Sequence, residues 1–342
     1  MKQLNYLRQR WRVIFFACAT LQLNQLNAQR AILTTVSNRM SYAWSPDGKY
    51  ILVNMFSSLD KTMHLCAYGI TIFNFSKCIL KINLSGKISD WGDVKWNDMI
   101  IETIYWTDNE ITYSLCPNQD RCSIYKADVS GWRNKGYVER SNSQFVTVGD
   151  SPVWDRAHNM LFFTNHTDNL HKRSIYVKKH NKIQEVEQLA TAPFMDKNYI
   201  YYTKLTSDNF NPAGIMRLNK SNFADKKQLT FGFDYNGTIL KNGLLCFLRS
   251  SGELDGKFSI ILFDIDSGEE RQKINIDSKN EQSDLNLKFS PSGDNFLVSI
   301  YHSTWIEKNP LSGKPRRFMD DLNIFSYVYT LFLYDFKGLS NE

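Results

Sequence analysis

The sequence predicts an all-β fold: a six-bladed β-propeller of four-stranded antiparallel blades, closed by an N-terminal strand that joins the last blade. Three observations predict it. Two marker segments recur six times in the same order, no stretch keeps a 3.6-residue period for more than a turn or two, and the chain ends leave one spare strand and one spare place. Composition agrees. The 22 Phe, 17 Tyr and 8 Trp, with many Thr, Val and Ile, suit a pleated surface, and 342 residues can bury a sizeable core.

The first 28 residues read as a signal peptide ahead of a propeller over 29–342. Lys2, Arg8, Arg10 and Arg12 form a basic start with no acid, and Val13–Leu23 is a short, largely apolar run. Ala28 is a small residue at a cleavage point before Gln29, and the run is too short to span a bilayer as a helix. The competing reading is a buried amphipathic helix. Lipoprotein anchoring through Cys18 is a minor option. Loss of 1–28 removes four basic residues and no acid, so the formal charge falls from +6 to +2. That leaves no broad electrostatic footprint for nucleic acid. The expectation is an exported protein, periplasmic or secreted, without a transmembrane span.

Each repeat opens on an aromatic or apolar residue, a polar turn and a strand. The copies are WSPDGKYILVNM (44–55), WTDNEITYSLC (106–116), WDRAHNMLFFT (154–164), FMDKNYIYYTK (194–204), LKNGLLCFLRS (240–250) and FSPSGDNFLVSIY (289–301). Pro, Asp, Asn and Gly set the turn, and the residue before it anchors a strand between neighbouring sheets. A second strand with a turn follows, at 69–75, 122–131, 173–182, 213–222, 259–268 and 329–338. The segments EQLAT (187–191) and KQLTF (227–231) fit a fourth, outer strand in two repeats. The last repeat stops after its third strand, and the spare run AILTTV (31–36) fits the vacant place. The competing reading, two unrelated β-sandwiches, does not explain this pairing of markers.

WSPDGKYILV and FSPSGDNFLV resemble the Trp/Phe-Ser-Pro-Asp/Ser-Gly motif of TolB-like, WD-repeat-related propellers. The resemblance covers residues 29–342 at the level of repeat layout, with the motif clean only in the first and last repeats. It implies a propeller without the extra N-terminal domain of TolB itself. The single YWTD at 105–108 also resembles the YWTD propellers, which repeat it in most blades.

Cysteines suit an oxidising compartment. Cys116 and Cys122 flank a turn-like stretch and are candidate partners, as are Cys66 and Cys78, while Cys246 reads as a buried hydrophobe. The competing reading is that all are reduced. No Cys-x-x-Cys pair, Gly-x-Ser-x-Gly elbow, Gly-x-Gly-x-x-Gly or phosphate loop is present, so no catalytic residue and no cofactor is expected.

His64, His158, His166, His171, His180 and His302 read as loop or hydrogen-bonded residues, and a divalent metal among them is the minor alternative. Asp47, Asp128, Asp264 and Asp335 read as turn caps, and Asp320–Asp321 as a loop pair. The sequons at Asn74, Asn83, Asn165, Asn219 and Asn236 could carry glycans in a eukaryotic secreted protein. Residues 303–326 are the longest connection and carry Trp305, Lys308, Lys314, Arg316, Arg317 and Phe318, side chains suited to a protein or peptide partner on one face. The loop at 57–68 is a second candidate. The expected function is thus a protein or peptide interaction module. The alternative is a carbohydrate-active or metal-dependent lyase with its site in the channel.

Overall fold

A computed structural model describes residues 29–37, 40–57, 62–69, 75–83, 100–107, 109–116, 122–134, 138–139, 143–166, 172–208, 211–240, 243–251, 257–277, 287–302 and 327–335. All regular elements among the described residues are strands. Following β1 (Gln29–Ser37) come β2 (Tyr42–Trp44), β3 (Tyr50–Ser57), β4 (Thr62–Gly69) and β5 (Phe75–Asn83). Next are β6 (Ile100–Trp106), β7 (Glu110–Cys116), β8 (Ser123–Asp128), β9 (Val138–Glu139) and β10 (Ser143–Val148). The third group is β11 (Asp150–Asp155), β12 (Met160–His166), β13 (Arg173–Lys179) and β14 (Lys182–Gln188). The fourth is β15 (Ala190–Met195), β16 (Tyr199–Leu205), β17 (Pro212–Asn219) and β18 (Lys226–Gln228). The fifth is β19 (Asp234–Ile239), β20 (Leu245–Ser250), β21 (Lys257–Asp264) and β22 (Glu269–Asp277), and the chain ends with β23 (Leu287–Phe289), β24 (Asn295–His302) and β25 (Tyr327–Asp335).

These strands make a β-propeller of four-stranded antiparallel blades. Five such blades are present where six were expected. The remaining sheet, in the order β2-β3-β4-β5-β9, has five strands. The reason is β9, which leaves the chain between β8 and β10 and lies parallel to β5, pairing Val138 with Leu80 and Glu139 with Lys81. It answers part of the open edge of β5. The spare N-terminal run behaves as expected at the level of pairing: β1 lies antiparallel beside β25, with Val36 opposite Val328. The outer strands differ from expectation. The third sheet ends on β14 at 182–188, so Ala190 and Thr191 already belong to β15, and the outer strand of the fourth sheet is only Lys226–Gln228.

The markers form for the reasons their residues suggest. In the first sheet the Ser45 hydroxyl accepts the Tyr50 N–H at 2.9 Å and the Gly48 N–H reaches the Ser45 carbonyl. Ser290, Asn295 and Gly293 repeat that pattern, with Gly48 and Gly293 at φ +68° and +78°. Asn159 takes this left-handed position in the third sheet, at φ +51°.

Inner strands carry a second device. β6, β11, β15 and β19 each slip register by a bulge against the next strand. In three of them a non-glycine residue lies at positive φ: Ser151, Ala192 and Asn236. Pro152 and Pro193 follow two of these residues, a placement open to proline because an inner strand has a partner on one side only.

Sheet faces pack on one another. Tyr42, Ile51 and Val53 meet Leu297 and Leu331, and Phe162, Ile175 and Val177 meet Ile200 and Tyr202. All are buried, and each such side chain contributes roughly 1.5–3 kcal/mol. A buried ion pair joins the third and fourth sheets: Lys220 Nζ lies 2.8 Å from Asp155, each side chain 4% exposed. His158 Nδ1 is also 2.8 Å from Asp155. Cys66–Cys78 and Cys116–Cys122 are both bonded, and Cys246 is buried and free, its thiol pushed up by burial. Two disulfides suit an oxidising compartment.

Burial alone would raise the Asp155 carboxyl, but Lys220 and His158 hold it below its usual range. Its contribution is therefore present above about pH 4 and is lost as pH falls through the lowered native value. Asp155→Asn should cost about 3 kcal/mol at pH 7 by urea unfolding and flatten the acid limb of stability against pH, since it strands a buried ammonium. Equal acid limbs for the two proteins would count against the pair. Peptide mapping after alkylation without reductant should label Cys246 in the unfolded chain and leave Cys66, Cys78, Cys116 and Cys122 unlabelled until a thiol is added.

Candidate binding site

The inner strands touch in turn, β2 with β6, β6 with β11, β11 with β15, β15 with β19, β19 with β23, and β23 with β2. Their C-terminal ends enter the hairpins, so the residues next to the turns gather at one mouth of the central channel. There a cavity of about 440 Å³ opens. Its wall draws on five of these strands: Trp44 from β2, Tyr105 and Trp106 from β6, Met195 from β15, Ile239 from β19, and Lys288 and Phe289 from β23.

The wall is fixed by polar ties behind it. Trp44 Nε1 donates to the Lys288 carbonyl at 3.0 Å, joining the first and last sheets. Phe289 packs on Phe296 with ring centroids 5.3 Å apart. Asp196, the acid on the cavity wall, has both carboxylate oxygens occupied. Oδ1 accepts the Asn198 and Tyr199 N–H groups, each at 2.7 Å, and Oδ2 accepts the Tyr201 hydroxyl at 2.6 Å. Burial raises the Tyr105 hydroxyl above its usual range, and nearby Arg156 partly offsets this. Burial also pushes the Lys288 ammonium below the usual lysine range.

A second cleft, about 350 Å³, lies alongside between the first two sheets and shares Pro46 and Trp106 with the channel mouth. Trp132 forms its wall, 5.4 Å from Trp106 and 5.1 Å edge-on to Tyr50. The Arg133 guanidinium sits 5.4 Å over both Tyr50 and Trp132 and reaches Asp47 at 2.5 Å. Burial would raise Asp47, but the Ser45 hydroxyl, the Lys49 N–H and Arg133 together lower it. The Trp106 indole N–H is buried and meets no acceptor among the described residues.

No family model matches the chain, and no curated protein matches it. Among solved structures it is similar to a gluconolactonase from Xanthomonas campestris, at 10% identity and TM-score 0.49, covering 92% of each chain. It is similar to the β-propeller domain of the trilobed protease from Pyrococcus furiosus, at 12% identity and TM-score 0.43, covering 75% of this chain and 76% of that one. It is also similar to prolyl oligopeptidase B from Galerina marginata, at 11% identity and TM-score 0.47, where 91% of this chain spans 40% of the other. These propeller proteins are of differing kinds, so they do not single out a TolB-like family. The fold rests on the strand pairing.

The residues singled out from sequence fare unevenly. Trp305, Lys308, Lys314, Arg316, Arg317 and Phe318 lie outside the described residues, as do 1–28, His171 and Asp320–Asp321. The strand leading to that connection ends at His302, the end of its sheet remote from the Ser290–Asn295 hairpin and hence from the channel mouth. Asp47, Asp128 and Asp264 do cap turns, accepting the N–H groups of Lys49, Ser130 and Asp266. Asp264 is pulled down to about 2, chiefly by Arg271. His180 occupies a turn at φ +55°, and His158 serves Asp155. No group of three or more His, Cys, Asp or Glu among the described residues could hold a metal ion. Among the sequons, Asn236 lies at an inner-strand bulge and Asn165 within β12.

Sequence reasoning passed over Lys288 and Met195. Both stand next to marker turns, and that position was the available signal. Arg133→Ala should lower stability by less than about 1 kcal/mol in urea, since the guanidinium is largely exposed and Asp47 keeps its ties to Ser45 and Lys49. A larger loss would show that the cleft wall depends on the arginine.

Proposed function

We propose that this chain is an exported, TolB-like propeller of six blades, the five-stranded sheet counting as the first, and that it acts as an interaction module for a protein or peptide segment. The ring is closed in this reading by β1 on the last blade. Mutual contact of the six inner strands and the β1–β25 pairing support that closure. Export is supported by the two disulfides and the basic-then-apolar start of the chain.

One observation carries the binding role. The channel mouth, mostly apolar, joins at Trp106 a more polar cleft walled by Trp132 and Arg133, giving a concave surface that combines apolar contact with placed polar groups, as binding sites do. Tryptophan, tyrosine and arginine, the side chains that most often anchor a partner, line it. The channel mouth thereby replaces the 303–326 connection as the first place to test.

A displayed library of random peptides, panned against the whole protein, should yield binders. Met195 of β15 and Thr238 of β19 both line the mouth, so Met195→Arg and Thr238→Tyr, which fill it from two different strands, should each weaken them at least tenfold while leaving the melting temperature within a few degrees. An absence of binders, or binders indifferent to both substitutions, would overturn the reading.

A further inference from the structure

We propose that the channel mouth receives a carboxylate carried on an apolar or aromatic body, with Lys288 as the cation that meets it. This inference rests on the binding role assigned above to the same mouth and gives it a ligand chemistry.

Most half-buried or buried cations among the described residues have a partner. Lys220 meets Asp155, Lys204 and Lys226 both meet Glu187, and Arg249 holds Asp234 through two nitrogens at 2.6 and 2.9 Å. Lys178, half-buried, reaches the Val146 carbonyl. Lys288 breaks this pattern. It stands on β23 at the cavity wall, and no carboxylate among the described residues pairs with it. Asp196 shares the wall but is occupied by its own turn and by Tyr201.

Lys288 is half-buried, and a cation partly withdrawn from water without a counter-charge is disfavoured; desolvation lowers this one below the lysine range. An incoming anion would favour the charged form and make a charge-assisted hydrogen bond to it at the cavity wall. The buried Trp106 N–H, without an acceptor among the described residues, adds to the excess of donors at the same mouth.

The rest of the wall dictates the body of the ligand. Trp44, Tyr105, Ile239, Leu240 and Phe289 present flat or aliphatic surface, and about 440 Å³ holds a group the size of one or two apolar residues. An inorganic anion would leave that surface unused. Two sources share the required chemistry: the C-terminal carboxylate of a peptide, and a small free aryl or alkyl acid.

The test uses the full-length protein and isothermal titration. The probes are a hexapeptide ending in Leu-Phe with a free C-terminus, the same peptide as its C-terminal amide, and 4-phenylbutyrate. The free-acid peptide should bind at least tenfold more tightly than the amide. Lys288→Met should abolish that difference, and Lys288→Arg should keep most of it. Binding of 4-phenylbutyrate, lost in Lys288→Met, would assign the site to small acids, and binding of the acid peptide alone would assign it to chain termini. Both support the proposal.

Lys288→Met should fold, because the side chain is half-buried and pairs with no carboxylate among the described residues, and an unchanged or raised melting temperature checks this. Equal affinity for acid and amide peptides, unaltered in Lys288→Met but weakened by Met195→Arg, would overturn the carboxylate proposal and leave the binding role standing. If none of the three probes binds while library peptides still do, the proposal also falls alone. If no peptide of any kind binds, both fall.

Discussion

Each sheet begins with an inner strand that has a partner on one side only, and the rest of the fold follows from that constraint. Such a strand cannot complete its pairing sideways. It is held instead by the faces of its own sheet and its neighbours, which is why Tyr42 and Ile51 meet Leu297 and Leu331 across a sheet boundary. The open edge looks onto the channel, so local irregularities gather there. Bulges interrupt β6, β11, β15 and β19, and Pro152 and Pro193 sit where a central strand would reject them. Residues beside the turns become a cavity wall for the same reason.

Apolar packing makes the sheets adhere, and polar ties set their registration. Lys220 and Asp155 span one boundary and Trp44 with the Lys288 carbonyl spans another. Each tie connects a hairpin turn or inner strand to an adjoining sheet, close to the channel mouth. The region that forms the candidate site is therefore among the better braced parts of the molecule, which suits a preformed surface.

Much of this was legible in the chain, and the reason is repetition. Turn chemistry is local: Ser-Pro-Asp-Gly and Ser-Pro-Ser-Gly make their own hydrogen bonds in the first and last repeats, and the other four hairpins are announced by a polar turn between two apolar runs at the same place in the repeat. Cys66 and Cys78 stand opposite one another on paired strands, and Cys116 and Cys122 bound a short connection. What escaped depends on distance along the chain. Lys226–Gln228 is three residues without a period, and its role comes only from pairing with β17. Val138 and Glu139 have no local mark of a strand that pairs with Leu80 and Lys81. Lys288 reads as an ordinary polar residue beside a turn until five strands place it at one mouth. Ser151, Ala192 and Asn236 share a left-handed conformation without sharing a residue type, so no composition rule would have joined them.

The parallel pairing of β9 with β5 also bears on how this protein could be divided. Proteins built from repeats are often shortened or permuted one unit at a time, because each unit contacts only its neighbours through faces. Here a segment belonging to the second unit also completes the backbone pairing of the first. A cut placed between these two units would separate β5 from a strand it borrows, exposing peptide groups and not merely side chains. The first two sheets therefore form one indivisible module, and new termini or inserted domains would be better tolerated between later sheets, such as β14 and β15 or β18 and β19, where no strand is lent across the boundary.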